Sequence, residues 1–280
     1  MAMDSKLSKA VFQKLEQDLI KLSSKPRAFN VHRFRTGTRR LQILLGELSP
    51  DLNRNQRKLL KLLGSVRRRA GKLRDLDVQL GALRSLKVAR EPRRKTQLVN
   101  QLIELRARQE KKLTREVDRD AVREIWKRLD RARKDFQPSL CRDPLTVARN
   151  MLKRIDPQLP ITEPLLHRYR ILGKRARYAA EFAGNLPETQ QFIAQLKRLQ
   201  DALGDWHDWL TLTKNAGDHL GDLRESALVA ELHNVTGAKF RNAVTVLGQV
   251  RATLVAEPAP GGQTLVRPAA RVLRKSASAA

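Results

Sequence analysis

The chain has 280 residues, of which 57 are Lys or Arg and 29 Asp or Glu, giving a formal net charge of +28 at pH 7. That length suffices for one large domain or two of ordinary size, each with a buried core, and the single cysteine, Cys141, excludes an intrachain disulfide framework and suits a reducing cytoplasm. So large an excess of one sign repels itself, and binding a polyanion that neutralises part of it is favourable and steeply salt-dependent.

The first twenty residues alternate charged and apolar positions at helical spacing, with no continuous apolar stretch before a small-residue cleavage site, so no signal peptide is expected. No run of about 18 or more uncharged apolar residues follows, which predicts no membrane span and a cytoplasmic protein. Leu7, Val11, Leu15, Leu19 and Leu22 form the apolar stripe of a first helix. Leu41, Leu44, Leu45 and Leu48 carry a second as far as Ser49-Pro50, and Leu59, Leu62, Leu63 and Val66 a third. Further breaks fall at Glu91-Pro92, Gln137-Pro138, Asp143-Pro144, Asp156-Pro157 with Pro160, and Gly184 to Pro187. None of these segments shows sustained strand alternation, so the fold class is all-α, with long helices and short turns in antiparallel bundles. After Val255 the composition turns to Pro, Gly, Ser and Ala with scattered cations, which predicts a disordered basic tail over 256–280. Cys141 has no histidine near it in sequence and reads as a packing or surface cysteine.

An internal repeat organises the chain. His32-Arg33-Phe34-Arg35-Thr36-Gly37-Thr38-Arg39-Arg40 returns as His167-Arg168-Tyr169-Arg170-Ile171-Leu172-Gly173-Lys174-Arg175 at an offset of 135 residues, with charge and aromatic positions matched. Downstream, Gly71-Lys72-Leu73-Arg74-Asp75 aligns with Gly204-Asp205-Trp206-His207-Asp208 at an offset of 133. Two motifs in the same order at nearly the same offset indicate duplication, with halves 1–137 and 138–255.

At about 100° per residue, His32, Arg35 and Arg39 fall within roughly 60° of one another on a helix, as do His167, Arg170 and Lys174, with Arg177 extending the second stripe. Neighbouring positions on such a stripe advance by about one turn, roughly 5 Å, which suits a linear anion better than a compact ligand. Segments 31–42 and 165–178 contain no acid, so their cations are expected to lack i, i+4 partners.

The two His-x-x-Arg-x-x-x-Arg/Lys helices, each followed by a Leu-rich, Asp-bearing helix, resemble a CHAD domain, the conserved histidine α-helical domain, over about residues 5–255. Four blocks carry the resemblance: Val31 to Leu41, Gly71 to Val78, Leu166 to Glu181 and Leu196 to Asp208. It implies two pseudo-symmetric four-helix bundles facing each other around a basic channel, binding of inorganic polyphosphate, and association with polyphosphate granules. The anion-facing set it implies is His32, Arg35, Arg39, Arg40 and Arg74 in the first half and His167, Arg170, Lys174, Arg175 and Arg177 in the second, with Lys197 and Arg198 as further candidates. Gln42 departs from the pattern where a cation matching Arg177 is usual, and His207 stands where Arg74 stands in the first half.

Aromatic residues make up only 4% of the chain. Binders of single-stranded nucleic acid stack bases on aromatic rings, whereas polyphosphate offers only charge and acceptor oxygens; nucleic acid stays the alternative, because phosphate charge alone does not separate the two. Trp126, Trp206 and Trp209 read as core residues. The five histidines show no i, i+3 or i, i+4 spacing, so no metal or cofactor is expected, and His32 and His167 are read as donors to phosphate, stronger when protonated, with binding tightening from neutral pH toward about 5. An enzyme acting on polyphosphate or triphosphate would need acids to hold Mg²⁺. No Gly-x-x-x-x-Gly-Lys-Ser/Thr loop or run of alternating Glu and Lys is present, and Asp75, Asp77, Asp201 and Asp208 read as partners orienting nearby arginines, so no catalysis is expected. A basic face docking an acidic protein remains a third class.

Overall fold

Nine α-helices and no strand occur among the residues described by the computed structural model, which are 3–88, 91–155, 158–220 and 226–255. The expected tail over 256–280 and the Asp156-Pro157 break lie outside them. Local chemistry sets the helix starts. Asp4 accepts the backbone N–H of Leu7 at 2.9 Å to begin α1 (Ser5–Ser24). Asn53 and Gln56 form a reciprocal capping box at the head of α3 (Arg54–Ser85). Asp118 caps α5 (Arg119–Asp135), and Asp143 with Pro144 in the first turn caps α6 (Pro144–Lys153).

α2 (Ala28–Ile43) widens into a π-helical turn, Leu44–Leu48, and stops where the N–H and Oγ of Ser49 both donate to the carbonyl of Leu44. The Glu91-Pro92 break before α4 (Pro92–Glu116) puts Glu91 in the left-handed region at φ 57, where its carboxylate accepts from Ser226 Oγ and the N–H of Leu228. One turn thus ties the start of α4 to the start of α9 (Ala227–Val255).

The helices pack in two groups. In the first, α1 lies against α2 and α5, and α3 against α2, α4 and α5. In the second, α7 (Glu163–Ala180) lies against α6 and α8 (Pro187–Leu220), and α9 packs on α8 and α6. The groups meet where α2 crosses α7 and α3 runs beside α8. Val11, Leu15, Leu19 and Leu22 are buried as their spacing requires, and so are Leu41, Leu44, Leu45 and Leu48. A separate apolar cluster closes the far end, built from Leu76, Leu80 and Leu83 of α3, Leu98 and Leu102 of α4, and residues of α8 and α9 such as Leu212 and Leu228.

Some core expectations need correcting. Leu62 is exposed rather than inward, and Trp126 is 46% exposed, with its indole N–H donating to Glu16 on α1. A helix on the rim of a bundle buries only its narrow stripe, here Ile125, Leu129 and Ala132 of α5, and Trp126 lies next to that stripe. Trp206 is buried and Trp209 is half-buried against the second cluster. Cys141 is half-buried, burial raises its pKa, and its thiol donates to the carbonyl of Gln137 at 3.7 Å, as fits a packing cysteine. No helix among the described residues is long and apolar enough to cross a membrane.

Candidate polyanion site

α2 buries Val31, Phe34, Thr38 and Leu41, while α7 buries Leu166, Tyr169, Gly173 and Ala176, the same positions 135 residues on. With those stripes turned into their own helix groups, the polar stripes of α2 and α7 come together where the helices cross. The cations therefore form no rail in open solvent. They converge on each other.

The resulting cluster joins Arg35 and Arg39 of α2, Arg67 and Arg74 of α3, and Arg170 and Lys174 of α7, with Asp75 and Asp208 as the acids among them. Arg35 Nη1 lies 3.7 Å from Asp75, too far for a hydrogen bond, and the Arg35 side chain is only 18% exposed. Burial, set against the pull of Asp75 and joined by repulsion from Arg39, Arg67 and Arg74, lowers the pKa of Arg35. The same imbalance is plainest at Lys174. Burial, then repulsion from Arg170 and Arg39, outweighs attraction by Asp208 and lowers its pKa to about 7. Burial raises the pKa of Asp208 although Arg170 and Lys174 both favour its charge.

Three guanidinium nitrogens of the cluster, Arg35 Nη1, Arg67 Nε and Arg170 Nε, are buried and donate no hydrogen bond among the described residues. A buried donor without an acceptor is costly, and a charged one more so. An anion rich in acceptor oxygens would satisfy all three and offset the repulsion.

The histidines flank this cluster differently in the two halves. His32 is exposed at the edge of α2, and burial followed by repulsion from Arg74, Arg35 and Arg39 lowers its pKa. His167 is exposed on α7 and stands beside His207 of α8, ring centroids 5.7 Å apart. Burial, then Arg170, His167, Lys174 and Lys214, lowers the pKa of His207 to about 4. His207 thus occupies the place beside His167 that Arg74 has beside His32, as the offset of 133 predicts.

Three further cations singled out in the sequence are paired within the fold, although Arg175 and its partner Glu47 line the same cavity as Arg39, Arg67, Arg170 and Lys174. Arg40 donates from Nε to Glu181 at 2.8 Å, Arg177 bonds both Glu181 and Gln200, and Arg175 pairs with Glu47. The expectation that motif cations lack i, i+4 partners is therefore corrected at Arg177, while Arg40 and Arg175 find their acids across the fold. Glu181 lies four residues after Arg177, just beyond the acid-free segment, and Glu47 arrives from the π-helical turn. Gln42 lines a cavity of about 440 Å³ beside Arg39, Arg67, Arg170 and Lys174. Its counterpart Arg177 is instead tied to Glu181 and Gln200.

Arg74 and Lys174 also open onto a groove of about 930 Å³ on α8, where Lys197 and Arg198 are exposed and Arg198 bonds Gln249. Asp77 pairs with an arginine, Arg106 of α4, at 2.6 Å, outside the cation cluster. Asp201 lines the α8 groove beside Lys197. Arg67 was not among the sequence candidates. It sits in the run Arg67-Arg68-Arg69, and its signal was its position two turns before Arg74 on one helix face.

No curated protein matches the chain. Among solved structures, the crystal structure of the CHAD domain from the plant Ricinus communis is similar at 18% identity and a TM-score of 0.65, covering 93% of this chain and 96% of that one, which is a likeness of fold. The family model described as CHAD domain matches residues 10–217. That match spans α2, α3, α7 and all of α8 except its last turn, the helices that bring the cation cluster together, and the chain belongs to the CHAD domain family.

Proposed function

We propose that this protein binds inorganic polyphosphate in the cation cluster between α2 and α7, without turning it over, and that in the cytoplasm it associates with polyphosphate granules. The observation that carries the reading is the convergence of Arg35, Arg39, Arg67, Arg74, Arg170 and Lys174 on one partly buried place held by two acids, with three arginine nitrogens lacking an acceptor. We further read the chain as two pseudo-symmetric bundles around a basic channel, a reading supported by matched pairs across the repeat: Arg35 near Asp75 with Arg170 near Asp208, and Arg40–Glu181 with Arg175–Glu47.

A linear chain of phosphates supplies closely spaced acceptors and no bulky base, which suits a place lined by arginine and lysine and flanked by a cavity and a groove. Turnover would require acids free to hold Mg²⁺, whereas Asp75 and Asp208 lie among the cations. The test is binding of long-chain polyphosphate against single- and double-stranded DNA of equal charge, at physiological salt, for the native protein and for Arg39→Ala with Lys174→Ala. Preference for polyphosphate that collapses in the double variant is the expected outcome; equal affinity for all three polymers, untouched by the variant, would overturn the reading. Magnesium-dependent phosphate release would overturn the non-catalytic part.

A further inference from the structure

Each motif ends in a tandem of cations, Arg39-Arg40 and Lys174-Arg175, and the tandem divides its labour. The first member enters the central cluster, while the second reaches across to the opposite motif helix or its extension. Arg40 of α2 pairs with Glu181 at the end of α7, and Arg175 of α7 pairs with Glu47 in the turn that ends α2. Positions 40 and 175 are 135 residues apart, and Glu47 and Glu181 lie 134 apart, so one contact is the counterpart of the other.

The Arg40–Glu181 clasp is built more firmly than an isolated surface pair. Glu181 is 17% exposed and is shared by Arg40 and Arg177. The Tyr178 ring centroid lies 5.8 Å from the Arg40 guanidinium and 4.7 Å from that of Arg177. Together the two clasps tie α2 and the turn that ends it to α7 and the residue that follows it.

We propose that Arg40, Glu181, Arg175 and Glu47 are positioning and specificity-determining residues, which hold the crossing of α2 and α7, and with it the cavity of about 440 Å³ lined by Arg39, Arg67, Arg170 and Lys174, in a shape that admits a bare phosphate chain and keeps bulkier nucleic acid from the cluster. This rests on the function proposed above and assigns Arg40 and Arg175 a role other than phosphate contact. The sign of the effect separates the possibilities. Glu47→Gln with Glu181→Gln raises the net charge, so by simple electrostatics every polyanion should bind more tightly, and arginines released to contact phosphate would do the same for polyphosphate. Loosened clasps predict the reverse for polyphosphate, because a crossing free to shift no longer sets all the cations against one chain.

The experiment measures affinity for long-chain polyphosphate and for single-stranded DNA of equal charge at physiological salt in the native protein, in Glu47→Gln/Glu181→Gln, in Glu47→Arg and in the charge swap Glu47→Arg/Arg175→Glu, with helicity followed by circular dichroism. Preference for polyphosphate is expected to fall about fivefold in the double Gln variant, the scale of losing such pairs, and to return in the charge swap relative to Glu47→Arg alone. Unchanged preference in the double variant, or polyphosphate affinity rising in step with DNA affinity, overturns the clasp. If the double Gln variant loses helicity, the swap decides, since failure to restore the preference of Glu47→Arg sinks the inference. A native protein without preference for polyphosphate would instead defeat the functional reading itself.

Discussion

Two strongly basic regions of this molecule behave oppositely. On α5, Arg119, Arg123, Lys127 and Arg131 follow one another every fourth residue, all exposed, and Arg123 lies only 3.8 Å from an Asp120 that is itself 91% exposed. Water screens these charges, and pairs of this kind contribute little. On α2 and α7 the cations are spaced almost as regularly, but the helices carrying them cross, so charges from both halves share one desolvated place and depress each other's protonation. Spacing makes a stripe; convergence makes a site.

The largest expected effect tests that distinction directly. Arg39→Ala with Lys174→Ala should weaken polyphosphate binding by about 100-fold or more, since hydrogen bonds to charged groups are each worth roughly 1.5–3 kcal/mol. Replacing Arg119, Arg123, Lys127 and Arg131 of α5 together by Gln removes twice as many charges, yet should change binding by less than about threefold. Equal losses in the two variants would erase the comparison.

Next in size is the pH dependence, where Lys174 rather than a histidine dominates. With its pKa lowered to about 7 in the free protein, Lys174 is largely neutral above that pH, and a bound polyanion restores its proton. Binding should therefore take up close to one proton above the free-protein pKa and tighten by nearly tenfold per pH unit there, about 50-fold from about pH 9 to 7, levelling below that pKa. Lys174→Arg, which keeps its charge, should flatten this limb. For His32 and His207 the lowered pKa values mean neutral imidazoles in the free protein at neutral pH, so the histidine contribution to tightening falls on the acid side of neutrality. The same shift carries a stability consequence: between about 7 and the ordinary lysine range the unfolded chain holds the proton that folded Lys174 gives up, so this group's contribution to stability falls as pH drops through that window.

Much of this arrangement was legible in the sequence because it rests on period and repetition. The spacing of His32, Arg35 and Arg39 required one helix face, the offset of 135 found its partner on α7, and the offset of 133 placed Arg74 and His207 in equivalent positions. What sequence spacing does not encode is which helix lies opposite. For that reason Glu47 and Glu181, a few residues outside the acid-free segments, were invisible as partners of Arg175 and Arg40. Arg67 was hidden among its neighbours, since a run of three arginines points in three directions and only the packing of α3 on α2 selects one. Trp126 misled for a related reason, because membership of an amphipathic helix does not say how much of its flank the neighbours cover.

The smallest expected effect sharpens a comparison between the halves themselves. Gly71 and Gly204 are equivalent in the repeat, but a Cβ at Gly71 would come within 2.7 Å of Arg35 Nη1, whereas one at Gly204 meets nothing within 4 Å. In the first half the glycine lets the Arg35 guanidinium lie against α3 beside Asp75; in the second half the space is open toward the α8 groove. Gly204→Ala should therefore stabilise the fold by up to about 1 kcal/mol, the ordinary gain of alanine over glycine inside a helix, and leave polyphosphate affinity unchanged. Gly71→Ala should gain less, because Arg35 must move, and should weaken binding by a few-fold through the lost position of that one cation. Denaturation midpoints and affinities of the two variants, measured side by side, check both statements, and identical behaviour would mean that Arg35 adapts freely and that its contact with Gly71 positions nothing.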